Sequence, residues 1–198
     1  MRRRDLTAVG VAAVLAGAAL LAAGCGGRGG GPVTLATYTF DDLKAVADTS
    51  GGLTIDHEIV ESRPASLCVD APRPRSVRLI EMTPPPGQDG RLLVWTVRAR
   101  PLLREGKAWI ETWARAPGTD ERSARSGPST RTRGWVDMTA RIRVEKGRPV
   151  DRLRLNLVIN GAGKFWIESV RLESQPLPRG DDAGGGGQGA PGSSGGTG

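Results

Sequence analysis

The chain has 198 residues and a formal net charge of +7. Aromatic residues are only 4% of it, yet five of them are Trp. This composition excludes a collagen-like chain, a coiled coil, a disulfide-rich miniprotein and a polytopic membrane protein. Once an apolar leading segment and a glycine-rich trailing one are set aside, about 140 residues remain, enough for one buried core but not two.

Residues 1–24 have the layout of an export signal. Arg2, Arg3 and Arg4 form a positive start, and an apolar run from Ala8 to Ala23 follows, too short to span a bilayer comfortably. The run ends in Leu21-Ala22-Ala23-Gly24-Cys25, which resembles a bacterial lipobox. That resemblance implies cleavage before Cys25 and a diacylglycerol on its thiol. Arg3-Arg4-Asp5-Leu6 is similar to the start of a twin-arginine export signal. An uncleaved anchor is the alternative; in both cases the domain sits outside the cytoplasm, tethered to a membrane. Lipidation of Cys25 leaves Cys68 without a partner, so Cys68 is expected to be a buried, inert thiol. A Cys25–Cys68 disulfide in a non-lipidated protein is the other arrangement. Residues 25–32 are a Gly-rich tether.

Short runs of period-2 alternation then recur between turn residues. Val33 to Phe40 is the first strand candidate, and Asp41 to Ala47 is the one short helix, capped by Asp41 or Asp42. Leu53 to Glu61 and Ser76 to Thr83 are the next strands, closed by the proline-rich loop Thr83 to Gly90. Arg91 to Arg100 and Lys107 to Arg115 flank a turn at Arg104-Glu105-Gly106. Ala116 to Gly134 reads as a long polar loop. Trp135 to Glu145 alternates cleanly, as does Arg152 to Ile159. Asn160-Gly161-Ala162-Gly163 reads as a tight hairpin turn before the last strand, Phe165 to Leu172. About eight antiparallel strands, each with one apolar face, give an all-β sandwich of jelly-roll type over residues 33–175. Residues 176–198 are too poor in apolar side chains to order.

The second half of the domain carries a resemblance. Gly106-Lys107-Ala108-Trp109-Ile110-Glu111-Thr112-Trp113, then Trp135, then Glu145 to Ile159, Gly161-Ala162-Gly163 and Trp166-Ile167-Glu168-Ser169-Val170-Arg171-Leu172 resemble the galactose-binding-like jelly rolls. That superfamily includes many carbohydrate-binding modules. The likeness implies a non-catalytic binding domain for sugars, cell-wall polymers, phospholipids or proteins. It also implies a structural Ca²⁺ in some relatives, to which Asp41, Asp42 and Glu168 would contribute here. Glu168 and Ser169 replace the two aspartates of the closing pattern, and the alternative is that Glu168 faces water or pairs with an Arg. No other cofactor is expected.

Trp109, Glu111 and Trp113 share one face of their strand, because side chains alternate. Rings that stack on sugar C–H faces, with a carboxylate between them, suit a glycan platform. Asp137, Arg141 and Asn156 on neighbouring strands are candidates for further polar contacts. The same two indoles in the sandwich core is the competing arrangement. Trp95 is expected in the core and Trp166 partly buried. His57, the single histidine, sits in phase with Leu53, Ile55 and Ile59, which favours a core or edge position; no zinc cluster or triad can be built on it. Glu111 with Asp137 is the one carboxylate pair that suggests glycoside hydrolysis, and ion pairing explains both as well. Basic residues are interleaved with acids, as in Asp120-Glu121-Arg122, so the charge reads as a solvated surface, with acidic glycans or anionic headgroups as the alternative partners. Nucleic acid is not an expected partner. The reading is an extracytoplasmic, lipid-anchored, non-enzymatic module that binds carbohydrate or an envelope glycan. The alternative is a structural or protein-interaction module of the envelope with no sugar ligand.

Overall fold

Alternating apolar residues organise nearly every segment of a computed structural model, which describes residues 31–48, 51–130 and 134–178. The expected signal segment, Cys25 and the tail beyond residue 178 lie outside the described residues. The strands are β1 (Val33–Thr39), β2 (Leu53–Asp56), β3 (Ser66–Ala71), β4 (Arg75–Met82), β5 (Arg91–Arg115), β6 (Arg122–Arg125), β7 (Val136–Arg143) and β8 (Arg152–Pro176). All of their pairings are antiparallel, as expected for this class. Among the described residues no helix is long and apolar enough to cross a membrane.

Two strands of 25 residues each, β5 and β8, pair with each other from Arg91↔Pro176 to Arg115↔Arg152. The sequence suggested a break in each, and both breaks are absent. Arg104-Glu105-Gly106 is a β-bulge, with the register shifting between Leu103 and Glu105. Asn160 to Gly163 is not a hairpin turn; it lies opposite that bulge and the pairing continues through it. The glycines serve close approach instead. Gly161 and Gly163 have φ of 153° and 150°, and a Cβ on Gly163 would lie 2.6 Å from both Leu102 O and Leu103 Cα. Bulge and glycines let the ribbon bend from one layer of the sandwich into the other.

Each half of the ribbon nucleates one layer. In the first layer, residues 92–99 of β5 pair with β7, and residues 163–174 of β8 pair with β3 and β1. β2 then pairs with β3. In the second, residues 153–159 of β8 pair with β4, and β5 from Glu111 to Ala114 pairs with β6. One apolar cluster joins the inner faces, with Leu93, Trp95 and Val97 from one half and Ile110, Leu155 and Leu157 from the other.

Three local expectations change. The helix at Asp41 to Ala47 is a single 3-10 turn, Leu43–Ala45, whose Asp42 cap accepts from Lys44 N–H at 2.9 Å. Beyond it Ala47 N–H donates to Leu79 O, so the chain runs on along the edge of β4. The strand begun at Leu53 stops at Asp56, because the Asp56 carboxylate accepts from Glu58 and Ile59 N–H and turns the chain. The polar stretch after Ala116 contains β6 and a bridge between Ala108 and Ser129.

Gly163→Ala is expected to destabilise the domain by about 2–4 kcal/mol, since backbone must move to admit the methyl. Gly147→Ala has a positive φ of 74° but open space around it. It should cost about 1–2 kcal/mol, the backbone conformation alone. Urea unfolding of the two variants beside the wild type measures the difference.

Candidate functional site

The two outer faces of the sandwich differ, and the difference begins at Glu168. Arg98 pairs with Ser169 and Ala99 with Ile167, so Glu168 is the extra residue of a bulge in β8. It also lies between the segments of β8 that pair with β1 and β3. The bulge aims its carboxylate at the loop after β2, where Oε1 accepts from the N–H groups of Glu61, Ser62 and Arg63. Glu168 is 3% exposed. Burial pushes its pKa up, but these backbone hydrogen bonds outweigh burial and hold the carboxyl below its usual range.

The same loop is fixed at further points. Glu61 forms a bidentate pair with Arg98, which also reaches Asp137 at 3.4 Å. Trp166 Nε1 donates to Asp56 at 2.8 Å, and Ser66 Oγ to Ile59 O at 2.7 Å. His57 belongs to this loop, exposed, its Nδ1 3.1 Å from Pro64 O; it is neither core nor on a strand. Residues 57–65 thus strap one end of the first layer's outer face. Cys68 lies beneath, buried as expected, and burial raises its thiol pKa.

The second layer's outer face carries no such strap. Ala108, Ile110, Thr112 and Ala114 point into the core. Trp109, Glu111 and Trp113 therefore point outward, each half-buried. Trp95 is fully buried, as expected, and Trp166 is buried rather than only partly so. Cross-strand register sets Glu111 between Arg125 of β6 and Asn156 of β8, with Arg78 of β4 beyond. In the next row Trp113 lies between Ser123 and Arg154, and Glu81 follows. The Trp113 indole N–H donates to Glu111 at 3.0 Å. Arg125 stands over the Trp109 ring at 6.0 Å and Arg154 over the Trp113 ring at 5.8 Å. Such contacts stabilise exposed indoles by about 0.5–1 kcal/mol and set their orientation. Arg154 is held in turn by Glu121.

Two small cavities flank this face. One, of about 360 Å³, is lined by Ala47, Asp48, Ser76, Arg78 and Asn156. The other, of about 90 Å³, lies beside Trp109 among Lys107, Arg125, Ser126 and Pro128. The face offers apolar ring surface, a carboxylate, an amide and guanidinium groups in adjacent rows.

The structure therefore joins Trp109, Glu111, Trp113 and Asn156, and separates two of the expected companions. Asp137 and Arg141 lie on β7, exposed on the first layer's outer face, opposite Arg98 and Val94. Glu111 and Asp137 are thus on different layers and cannot flank one glycosidic bond. Of the expected calcium residues, Asp42 pairs with Lys44 at 2.9 Å, and Glu168 fills its Oε1 with N–H donors, the position of an anion in a backbone nest. Asp41 is exposed, 3.4 Å from the Thr39 hydroxyl. Among the described residues no three His, Cys, Asp or Glu side chains gather to hold a metal. Arg125 and Arg154 were not among the expected site residues. Arg154 was within reach, since it alternates with Leu153 and Leu155 in the same phase as Asn156. Arg125 stood in a stretch read as loop.

No family model and no curated protein matches the chain. Solved structures do. The CBM22-1 xylan-binding domain of Xyn10C from Paenibacillus barcinonensis superposes with a TM-score of 0.51 at 11% identity, over 75% of this chain and 98% of that one. The tandem CBM22-1–CBM22-2 domain of the same protein gives 0.53 at 12% identity, over 81% and 51%. The second module described as a family 16 carbohydrate-binding module gives 0.51 at 6% identity, over 66% and 91%. The fold is a jelly roll like that of these carbohydrate-binding modules. Identities this low carry the fold and not the ligand.

In this jelly roll, Glu168→Gln is expected to cost about 2 kcal/mol by removing the anion from its three N–H donors. The carboxyl pKa is lowered by folding, so its contribution is complete above the ordinary glutamate value of about 4.3 and is lost as pH falls through the lower native value. Denaturant unfolding at pH 7 and again near pH 2.5 should show the gap between wild type and variant closing in acid.

Proposed function

We propose that the protein is a non-catalytic carbohydrate-binding module, held outside the cytoplasm by a lipid on Cys25, that takes a glycan across the second layer's outer face. The observation that carries this reading is the outward placement of Trp109 and Trp113 while Trp95 packs the core. Four residues of strand separate the two indoles by about 13 Å, a spacing that suits a chain of sugars better than a single ring. Each indole gives an apolar surface to sugar C–H groups. Glu111, Asn156 and Arg78 stand in one row between and beside them to bond hydroxyls. The jelly-roll fold shared with carbohydrate-binding modules supports the same reading. A second reading, a structural or protein-interaction module, draws support from the guanidinium groups already seated over both rings.

A polysaccharide pull-down separates the two. The folded protein is expected to be retained by at least one insoluble or immobilised glycan, and Trp109→Ala or Trp113→Ala should weaken retention at least about tenfold each. Both rings are half-buried on the outer face and outside the core, so each variant is expected to cost about 1–3 kcal/mol and still fold, which urea unfolding checks. No retention of the wild type by any glycan supports the second reading, whereas retention that survives in the folded double variant overturns the placement of the glycan on this face. For the anchor, Cys25→Ser is expected to move the protein from the membrane fraction to the soluble one, and mass analysis of the membrane form should find acyl chains on residue 25.

A further inference from the structure

A cleft of about 420 Å³ lies at one end of the sandwich, outside the glycan face. Its walls are the turn after β5, residues 116–121, and the loop between β7 and β8, residues 144–151. Both are pinned by backbone hydrogen bonds: Thr119 N–H to Ala116 O, Arg148 N–H to Glu145 O, and Asp151 N–H to Arg115 O at 2.9 Å. Ala114 and Val144 give a buried apolar floor, with Val150 half-buried beside them. Arg122, Arg143 and Arg148 line the cleft against two acids, Asp120 and Glu145.

The Glu145 carboxylate sits between two of these guanidinium groups, 2.5 Å from Arg122 and 3.3 Å from Arg148. Both arginines are more than half exposed. A guanidinium has five N–H donors in a planar fork, so one shared carboxylate leaves most of them unused. An apolar floor under surplus guanidinium donors fits a ring that is apolar on one side and anionic at one substituent.

We propose that this cleft is a second binding site, for a saccharide unit that carries a carboxylate, such as a uronic acid. The ring packs on the half-buried Ala116 and Val150 above that floor, and its carboxylate enters the fork of Arg122 and Arg148. Glu145 occupies that fork in the free protein and competes with the ligand for it.

The probe is an oligogalacturonate, titrated against the full chain beside a neutral galacto-oligosaccharide and inorganic phosphate. The oligogalacturonate is expected to bind more tightly than either comparison. Arg122→Gln with Arg148→Gln should weaken it at least about tenfold. Glu145→Gln should tighten it several-fold, because the fork is vacated. Trp109→Ala with Trp113→Ala should leave it unchanged, so the two sites stand or fall separately. The proposal is overturned by phosphate or the neutral sugar binding as well as the uronate, or by uronate binding that follows the tryptophans. It is overturned equally by Glu145→Gln leaving affinity the same or weaker. That last variant decides the matter even where the double arginine variant does not fold.

Discussion

The pairing of β5 with β8 is the constraint on which the rest of the structure depends. It runs unbroken through a bend that only glycine permits on the β8 side, since a methyl at Gly163 would collide with the backbone of Leu102 and Leu103. One ribbon thereby supplies the middle of both layers, and β1, β3, β4, β6 and β7 add to its edges. Its inward side chains, Leu93, Trp95, Val97, Ile110, Leu153, Leu155 and Leu157 among them, make most of the core. The outward side chains have no choice after that. With Ala108, Ile110, Thr112 and Ala114 seated inward, a strict period of two presents Trp109, Glu111 and Trp113 to solvent, and a slip of one residue would exchange the sets.

The two outer faces then diverge because of charge rather than shape. On the first layer a bulge turns Glu168 toward three backbone N–H groups, and the Glu61–Arg98 pair and the Trp166–Asp56 hydrogen bond lay the loop across the sheet. Aromatic and charged groups there satisfy one another. On the second layer residues 46–48 extend the sheet beyond β4 and residues 126–129 extend it beyond β5. Its arginines orient the indoles without covering the row of Glu111 and Asn156.

Most of the all-β character was legible as alternation. β7 shows it cleanly: Met138, Ala140 and Ile142 are buried while Asp137, Arg141 and Arg143 are exposed. The N-terminal half of β8 follows the same rule. The bend was not legible, because the Gly-x-Gly of a close backbone approach and the Gly-x-Gly of a hairpin turn are the same residues; only the partner strand distinguishes them. β3 was missed since it is buried on both faces from Ser66 to Val69 and shows no alternation. β6 was missed because an edge strand of Arg-Ser-Ala-Arg has no apolar face to read. Within the site, the shared face of Trp109, Glu111 and Trp113 followed from spacing alone. Whether that face met core or water depended on Ala108 and Ile110 taking the interior, a tertiary outcome. The misplacement of Asp137 and Arg141 has the same origin as the missed bend: without it, β7 cannot be assigned to a layer.

The central claim is that the ribbon's register delivers two indoles to a ligand face and withholds a third. Indole N–H resonances report each tryptophan separately, and assigned spectra of the protein titrated with soluble oligosaccharides test the claim most directly. The account predicts that the Trp109 and Trp113 signals shift together and saturate while the Trp95 signal stays fixed. Shifts at Trp95 alone, or an oligosaccharide that binds the protein without moving Trp109 and Trp113, would contradict it.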